Sequence, residues 1–168
     1  MADRAPPAGP TLVFTDAGEF AAASAPHGAL LGLDLGTKTV GVAVSDLRRV
    51  VASPVETLKR TKFTADLERL RALMALHAAA GMVLGLPLNM DGSAGPRAQS
   101  SRAYARNLAR ETGLPVLLWD ERLSTAAAEA ALLLADTSRA KRAQVIDKMA
   151  ATVILQGALD RLGNIQTP

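Results

Sequence analysis

Cysteine is absent from this chain of 168 residues, which excludes disulfides, thiolate nucleophiles and cysteine-ligated metals. Only two histidines are present, His27 and His77, too few for a histidine-rich metal site. Carboxylates would therefore have to hold any divalent cation, and they suit Mg²⁺ or Mn²⁺ rather than Zn²⁺.

Long apolar runs are also missing, so no segment is long enough to span a bilayer. Residues 1–10 lack the apolar core of a signal peptide, and we expect a cytoplasmic protein with no membrane partner. Aromatic residues make up 3% of the chain against 49% hydrophobic residues overall, which predicts one domain with an aliphatic core. Neither a Walker A motif nor a Ser–His–Asp set is present, which leaves metal-assisted chemistry as the main enzymatic option. The net charge of +3 favours an anionic partner.

The stretch LLGLDLGTKTVGVAVSD, residues 30–46, places one carboxylate, Asp34, inside an apolar strand. A buried carboxylate is costly unless a cation or metal pairs with it. Because side chains alternate along a strand, Gly32, Asp34 and Gly36 share one nearly bare face. That face leaves room for a ligand or another chain to approach, and we expect the two glycines to keep it open for a phosphate. The alternative is an aspartate that only caps the turn.

The hydrophobic pattern predicts the order βββαβαβαα, an antiparallel start followed by alternating helices and parallel strands. The fold class expected is α/β, a mixed five-stranded sheet with helices on both faces. Predicted strands cover residues 29–35, 40–45, 50–58, 82–86 and 115–119, and predicted helices cover 64–81, 96–113, 124–135 and 144–162. Thr64 is the expected N-cap of the first of these helices and Gly81 its stop. Pro54 marks its strand as an edge or a bulge.

Residues 1–28 form a partly ordered extension rich in Pro, Ala and Gly. Within it, Thr15 and Asp16 could cap a short helix through Ala23, and we expect Phe14 or Phe20 to pack onto the domain.

Three acidic positions are placed to converge: Asp34, the pair Asp120 and Glu121 at the end of the last strand, and Asp147 in the final helix. Alternation puts Asp120 and Glu121 on opposite faces, so at most one points straight into a site. Together such carboxylates can hold hard cations that promote in-line phosphoryl displacement. Individually, Asp120 could cap a turn and Asp147 could pair with a neighbouring basic residue.

Four blocks carry a resemblance to a known family: DLGTKTVGVAVSD, VLGLPLNMDGSAGPRA, LLWDERLST and IDKMAATVILQGALD. In order and spacing they resemble the YqgF family, RNase H-like proteins described as pre-16S rRNA nucleases and earlier as Holliday junction resolvases. The resemblance implies an RNase H-like nuclease domain over residues 29–163, followed by a tail over 164–168. It also implies that Asp34, Glu121 and Asp147 are the catalytic, metal-binding triad, with Mg²⁺ or Mn²⁺ as cofactor.

The function implied is metal-dependent hydrolysis of phosphodiester bonds in RNA, with pre-16S rRNA or a pre-ribosomal particle as partner and the chain acting as a monomer or homodimer. Side chains that contact the phosphates of the RNA backbone contribute to binding but do not recognise the base sequence. Candidates for these nucleic-acid contacts are Lys38, Asn89, Arg97, Arg139, Lys141 and Arg142.

Three alternatives stay open. The first is a resolvase that cuts four-way DNA junctions. The second is a non-catalytic RNA-binding factor for ribosome assembly. The third follows from DLGTKTVG, which also resembles the phosphate loop of actin-like ATPases and sugar kinases, although those folds need two lobes and a longer chain than 168 residues.

Overall fold

A computed structural model describes residues 11–123 and 139–166, and for residues 139–148 and 166 it describes the backbone alone. The strands are β1 (Val13–Phe14), β2 (Ala29–Leu35), β3 (Thr39–Ser45), β4 (Ala52–Lys59), β5 (Ala79–Leu86) and β6 (Val116–Asp120). The helices are α1 (Ala17–Ala23), α2 (Phe63–His77), α3 (Pro96–Thr112) and α4 (Arg139–Gln166), and Glu121–Leu123 forms one 3₁₀ turn. The predicted helix over residues 124–135 lies outside the described residues.

The strands form one mixed sheet in the order β1-β6-β5-β2-β3-β4. β2, β3 and β4 are antiparallel neighbours, whereas β5 pairs in parallel with both β2 and β6. The predicted α/β fold with a mixed sheet is therefore confirmed, but the predicted count of five strands is wrong. The sixth strand is β1, which has two residues and pairs in parallel with β6. So short a strand gives no alternating pattern that a sequence could reveal.

The described part of the extension, residues 11–28, packs as its apolar residues predict. Asp16 caps α1, since its side chain accepts a hydrogen bond of 2.9 Å from the backbone nitrogen of Glu19. Phe20 is 0% exposed and contacts the ring of Phe14 edge-on. At the other side of the sheet, Pro54 lies in the edge strand β4, beside a register shift between Val42 and Ala43. An edge tolerates the missing N–H of proline, as predicted.

The predicted ends of α2 are wrong. Lys62 rather than Thr64 occupies the N-cap position, and it makes no side-chain capping bond. The helix stops at Ala78, which adopts the left-handed conformation with φ 53°, and Gly81 lies inside β5. Alanine has no preference for the left-handed conformation that ends the helix here. We attribute this conformation to the pairing of β5, which begins at the next residue.

Helices cover both faces of the sheet. Leu31, Leu33 and Leu35 pack with α2 and α3, whereas Leu30 packs with Phe20 and α4. Gly32 and Asp34 therefore share the face that α4 covers. A Cβ on Gly32 would lie 2.6 Å from Cβ of Leu155 and 2.9 Å from the carbonyl oxygen of Ala151. The expectation that Gly32 keeps this face open for a phosphate is thus wrong, because the glycine admits a helix.

Helix α4 begins at Arg139, earlier than the predicted start at Gln144, and extends to Gln166. Its buried residues include Ala151, Ile154, Leu155 and Ala158, whereas Met149 and Val153 are only half-buried. The buried side of α4 is the side that lies against Gly32 and Gly85, where small and aliphatic residues approach closest. In the part of the chain that the structure describes, no helix has the length and apolarity that a membrane span needs.

Candidate active site

Two carboxylates meet at the carboxyl end of the central strands. Asp34 is the penultimate residue of β2, and Glu121 directly follows β6. Their strands are not neighbours, because β5 lies between them. The side chains of Asp34 and Glu121 are nevertheless hydrogen-bonded to each other. Alternation explains the selection of Glu121 over Asp120, since Leu117, Trp119 and Glu121 follow one face of β6, the face covered by α4.

This contact changes the acidity of Glu121. Burial, followed by the charge and the hydrogen bond of Asp34, raises the pKa of Glu121 to about 7. The guanidinium of Arg97 opposes the shift, because a nearby positive charge favours the ionised carboxyl. Two carboxyls in hydrogen-bonding contact cannot both ionise cheaply, so the ionised form of Glu121 is disfavoured.

Gly85 of β5 makes this contact possible, and the sequence interpretation missed it. The register pairs Leu33 with Leu84 and Gly85 with Trp119, so Gly85 lies between Asp34 and the strand that carries Glu121. A Cβ at this position would stand 2.5 Å from Oε1 of Glu121 and 2.6 Å from Cδ1 of Ile154. An isolated glycine inside an apolar strand was the available signal, since it marks a close approach.

Asp120 points away and holds the loop that follows β5. Its carboxylate accepts hydrogen bonds from Nε of Arg122 at 3.0 Å and from Nη2 at 2.7 Å. These bonds keep the pKa of Asp120 below its usual range. Nη1 of Arg122 reaches the carbonyl oxygen of Met90 at 3.3 Å, and Met90 is 90% exposed. The Asp120–Arg122 pair thus ties the loop to the turn that carries Glu121.

The same loop contains Asn89, one of the residues predicted to bind nucleic acid. Its Nδ2 donates to Oγ of Ser93 at 3.0 Å, and its backbone nitrogen donates to the carbonyl oxygen of Ser93 at 2.9 Å. Asp91 accepts from the hydroxyl of Ser93 at 2.6 Å. Asn89 therefore helps to close the loop on itself.

The predicted basic residues divide into two groups. Lys38 is exposed in the turn after β2, and Arg97 lies in the first turn of α3 with Nη2 3.5 Å from the carbonyl oxygen of Leu35. Arg97 thus lies against the end of β2, next to the residue that follows Asp34. The second group, Arg139, Lys141 and Arg142, belongs to the first turns of α4, and its side chains lie outside the described residues.

The third acidic position, Asp147, also lies in α4, and its side chain lies outside what the structure describes. Position 147 precedes Ala151 by one helical turn, and the carbonyl of Ala151 lies next to Gly32. Among the side chains that are described, no group of three or more acidic or histidine residues could hold a metal ion. The described centre thus consists of the Asp34–Glu121 pair.

The arrangement offers two kinds of chemistry. Two adjacent carboxylate oxygens can bind a hard cation, and a carboxyl with a pKa near 7 can accept or donate a proton at neutral pH. Arg97 acts on Glu121 as a positive charge, and Lys38 lies exposed in the turn that follows β2. A negatively charged substrate is therefore favoured over a cationic one.

A family model described as "RuvX: Holliday junction resolvase" matches residues 28–161. A protein of Rhodopseudomonas palustris (strain BisB5) is 69% identical over 136 residues, which cover 81% of this chain and 85% of that protein. One from Cereibacter sphaeroides is 64% identical over 144 residues, covering 86% and 90%, and one from Ruegeria pomeroyi is 62% identical over 147 residues, covering 88% and 96%. All three carry the name "Putative pre-16S rRNA nuclease".

Among solved structures, the chain is similar to Thermus thermophilus RuvC in complex with a Holliday junction substrate, with a TM-score of 0.53 at 14% identity. The match covers 82% of this chain and 97% of that one, and at this identity it shows the fold, which is the RNase H-like fold expected from the sequence. The family match also favours the nuclease-type interpretation of the Asp34 strand over that of an actin-like phosphate loop. On its family match and on the identity of its relatives, the chain belongs to the RuvX family, also called YqgF.

Proposed function

We propose that this chain is a nuclease that hydrolyses phosphodiester bonds in RNA and matures the 5′ end of pre-16S rRNA in the cytoplasm. The observation that carries the proposal is the hydrogen-bonded pair Asp34–Glu121, which lies beyond the carboxyl ends of the central strands. Ligand sites of open α/β sheets occur at this edge. The names of the relatives support the substrate, since proteins more than 60% identical to this chain are called pre-16S rRNA nucleases.

The residues at this edge fit a divalent cation. Asp34 and Glu121 bring hard carboxylate oxygens to one point, which is the ligand chemistry that Mg²⁺ and Mn²⁺ prefer. Gly85 leaves the room that the carboxylate of Glu121 needs to reach Asp34. Two protein carboxylates are sufficient for Mg²⁺, because that ion keeps waters and substrate phosphates among its ligands. We further propose Asp147 as a third ligand, on the resemblance of its sequence block to that of the family.

When bound, the cation supplies Lewis-acid stabilisation of negative charge on the phosphoryl oxygens and makes water more acidic. The chain's own residues supply the rest. The carboxylates of Asp34 and Glu121 would provide oxygens that bind the cation. The charge of Arg97 favours the ionised form of Glu121. Asp120 and Arg122 fix the turn that carries Glu121, which limits the positions that its carboxyl can take.

A second candidate substrate is a four-way DNA junction. It is favoured by the description of the family model as a Holliday junction resolvase. Resolution cuts two strands in step, so this activity requires a homodimer, whereas processing of one RNA end can be carried out by a monomer. The oligomeric state of the active species therefore separates the two candidates.

The experiment that tests the proposal offers both substrates side by side. One is a 16S rRNA precursor that retains its 5′ extension, and the other is a synthetic four-way DNA junction, each incubated with Mg²⁺, Mn²⁺ or EDTA. We expect cleavage of the RNA with either metal and none with EDTA. Cleavage of the junction alone would assign the chain to DNA resolution. Inertness on both, with RNA binding retained, would make it a ribosome-assembly factor and overturn the nuclease proposal.

A further inference from the structure

A small cleft of about 40 Å³ opens at the end of β2, between the turn after β2 and the start of α3. Leu35, which also lines the cleft, directly follows Asp34 along the chain. The volume holds a few water-sized groups. The polar lining comes from Gly36, Thr37, Arg60, Arg97, Ser100 and Ser101.

The charge of this cleft is positive. Arg60 and Arg97 line it, and none of the carboxylates that the structure describes does. Within the described part of the chain, neither arginine forms an ion pair with an acidic side chain closer than 4.0 Å. Nη1 of Arg60 donates to the carbonyl oxygen of Gly36 at 2.7 Å, and Nη2 of Arg97 lies 3.5 Å from that of Leu35. A guanidinium has five N–H donors, so each retains donors for a ligand.

Arg60 is held in place by contacts on three sides. Its backbone nitrogen donates to the carbonyl oxygen of Lys38 at 2.9 Å, and its guanidinium carbon lies 5.6 Å from the ring centre of Tyr104. Tyr104 is itself fixed, because its hydroxyl donates to the buried carboxylate of Asp66 at 3.3 Å and its ring meets Phe63 edge-on. The side chain is thus oriented before any ligand arrives, which lowers the entropic cost of binding.

Ser101 gives an independent indication of a ligand. Its side chain lines the cleft although the residue is only 1% exposed. Among the described residues, its hydroxyl has no hydrogen-bond partner. A buried hydroxyl without a partner costs free energy, and a ligand oxygen at the floor of the cleft would remove that cost.

On these grounds we propose that the cleft binds the two non-bridging oxygens of one phosphate in the substrate backbone. This phosphate is adjacent to the one that is cleaved. Two preoriented guanidinium groups and the hydroxyl of Ser101 are donors of the kind that recognises a phosphate. The inference rests on the proposed function, since it supplies the substrate's second point of attachment. Arg60, Ser101 and Arg97 are then substrate-positioning residues, and the bound phosphate sets which bond reaches Asp34 and Glu121.

The test uses the full chain, EDTA and a fluorescently labelled single-stranded 12-nucleotide RNA. The variants are Arg97→Gln, Arg60→Gln and Ser101→Ala, and the matched control is Arg106→Gln, an exposed arginine on the opposite side of α3. We expect Arg97→Gln and Arg60→Gln each to weaken binding about tenfold and to lower the salt slope by about one charge. Ser101→Ala should weaken it about threefold. Arg106→Gln should bind as the unchanged chain does.

A second probe separates the cleft from general basic charge. In a set of the same RNAs, a neutral methylphosphonate replaces one phosphate at a time. One position should lose affinity with the unchanged chain and lose none further with Arg97→Gln, because the two changes remove the same contact. Additive losses at every position would overturn the proposal.

Cleavage of the RNA precursor is measured in parallel. If the unchanged chain cleaves the RNA precursor and all three variants bind RNA normally, the phosphate-binding role of the cleft is refuted and the nuclease proposal stands. If the variants bind RNA more weakly but the unchanged chain cleaves no RNA, the nuclease proposal alone is refuted. Because Arg60 also supports the turn at Gly36, thermal melting must show that its variant is folded, and Ser101→Ala and Arg97→Gln test the cleft if it is not.

Discussion

The carboxyl groups of Asp34 and Glu121 are hydrogen-bonded to each other across a strand that contributes no side chain between them. The intervening residue is Gly85, whose missing Cβ leaves the space that Oε1 of Glu121 occupies. An acidic pair placed in this way is costly for the folded chain at neutral pH and useful for binding a cation or a proton. The first predictions follow from this cost.

Glu121 should make stability depend on pH. Its carboxyl keeps a proton up to about pH 7 in the folded chain, whereas an ordinary glutamate loses it near 4.5. Between these values the folded state binds more protons than the unfolded state, so the free energy of unfolding falls as pH rises. We expect a loss of about 1–2 kcal/mol from pH 4.5 to 8 in EDTA, which is less than the full shift because Glu121 is only partly buried. Urea titrations at each pH measure it.

The matched variant for that titration is Glu121→Gln, which cannot ionise. Its curve should lack the decrease between pH 4.5 and 7, and the difference between the two curves isolates the pair. Asp34→Asn should also reduce the loss of stability near pH 7, because it removes the repulsion that raises the pKa of Glu121. Parallel curves for all three proteins would show that the pair has no such cost.

Replacement of Gly85 should disrupt the pair. In Gly85→Ala the new methyl group would stand 2.5 Å from Oε1 of Glu121 and 2.6 Å from Cδ1 of Ile154, so both must move. We expect about 1–3 kcal/mol of destabilisation and a loss of cleavage of about 100-fold. The control is Gly163→Ala in α4, where nothing lies within 4 Å of the added Cβ and where alanine favours the helix. Equal activity of the two variants would contradict the role of Gly85.

Arg122 should matter for activity and little for stability. It is partly exposed and joins Asp120 to the carbonyl of Met90, so its loss loosens the loop and the turn that carries Glu121. Arg122→Gln should change the free energy of unfolding by less than about 1 kcal/mol, as for other exposed pairs. Its cleavage rate should fall about 3- to 10-fold. Arg110→Gln, which removes another surface pair, is the control and should cleave normally.

Divalent cations should stabilise the folded chain. Mg²⁺ at about 100 times its dissociation constant adds about 2.7 kcal/mol if it binds the folded state alone. We expect the melting temperature to rise with Mg²⁺, to rise much less in Asp34→Asn, and to respond weakly in Asp147→Asn if that residue is the third ligand. Glu68→Gln, an exposed acidic residue of α2, should respond as the unchanged chain does. A full response in Asp147→Asn would remove that residue from the proposed ligand set.

Part of the site was predictable from local rules, because parallel strands bring the carboxyl ends of β2 and β6 to one edge of the sheet. Alternation allowed only one of Asp120 and Glu121 to enter the site, and the family resemblance singled out Glu121. The acidic cap of α1 and the edge position of Pro54 follow from equally local preferences.

The errors concern long-range packing. The purpose of Gly32 could not be deduced from β2, because it depends on Ala151 and Leu155 more than a hundred residues later. Arg60 shows no motif, and it reaches the cleft only because Tyr104 and the turn at Gly36 position it. The stop of α2 at Ala78 depends on the pairing of β5 rather than on the residue itself. Such features are set by the assembled sheet.

Cleavage of the 5′-extended 16S rRNA precursor by Asp34→Asn, with Glu68→Gln as the control, tests the central claim most directly. Asparagine retains the size of aspartate and removes the charge that the reaction needs. With Mg²⁺ we expect the rate of Asp34→Asn to fall at least about 1,000-fold, while Glu68→Gln cleaves normally. In EDTA the melting temperature of Asp34→Asn should be unchanged or raised, because the repulsion between the two carboxyls is removed. A folded Asp34→Asn that retains full Mg²⁺-dependent cleavage would contradict the assignment of the active site to Asp34 and Glu121.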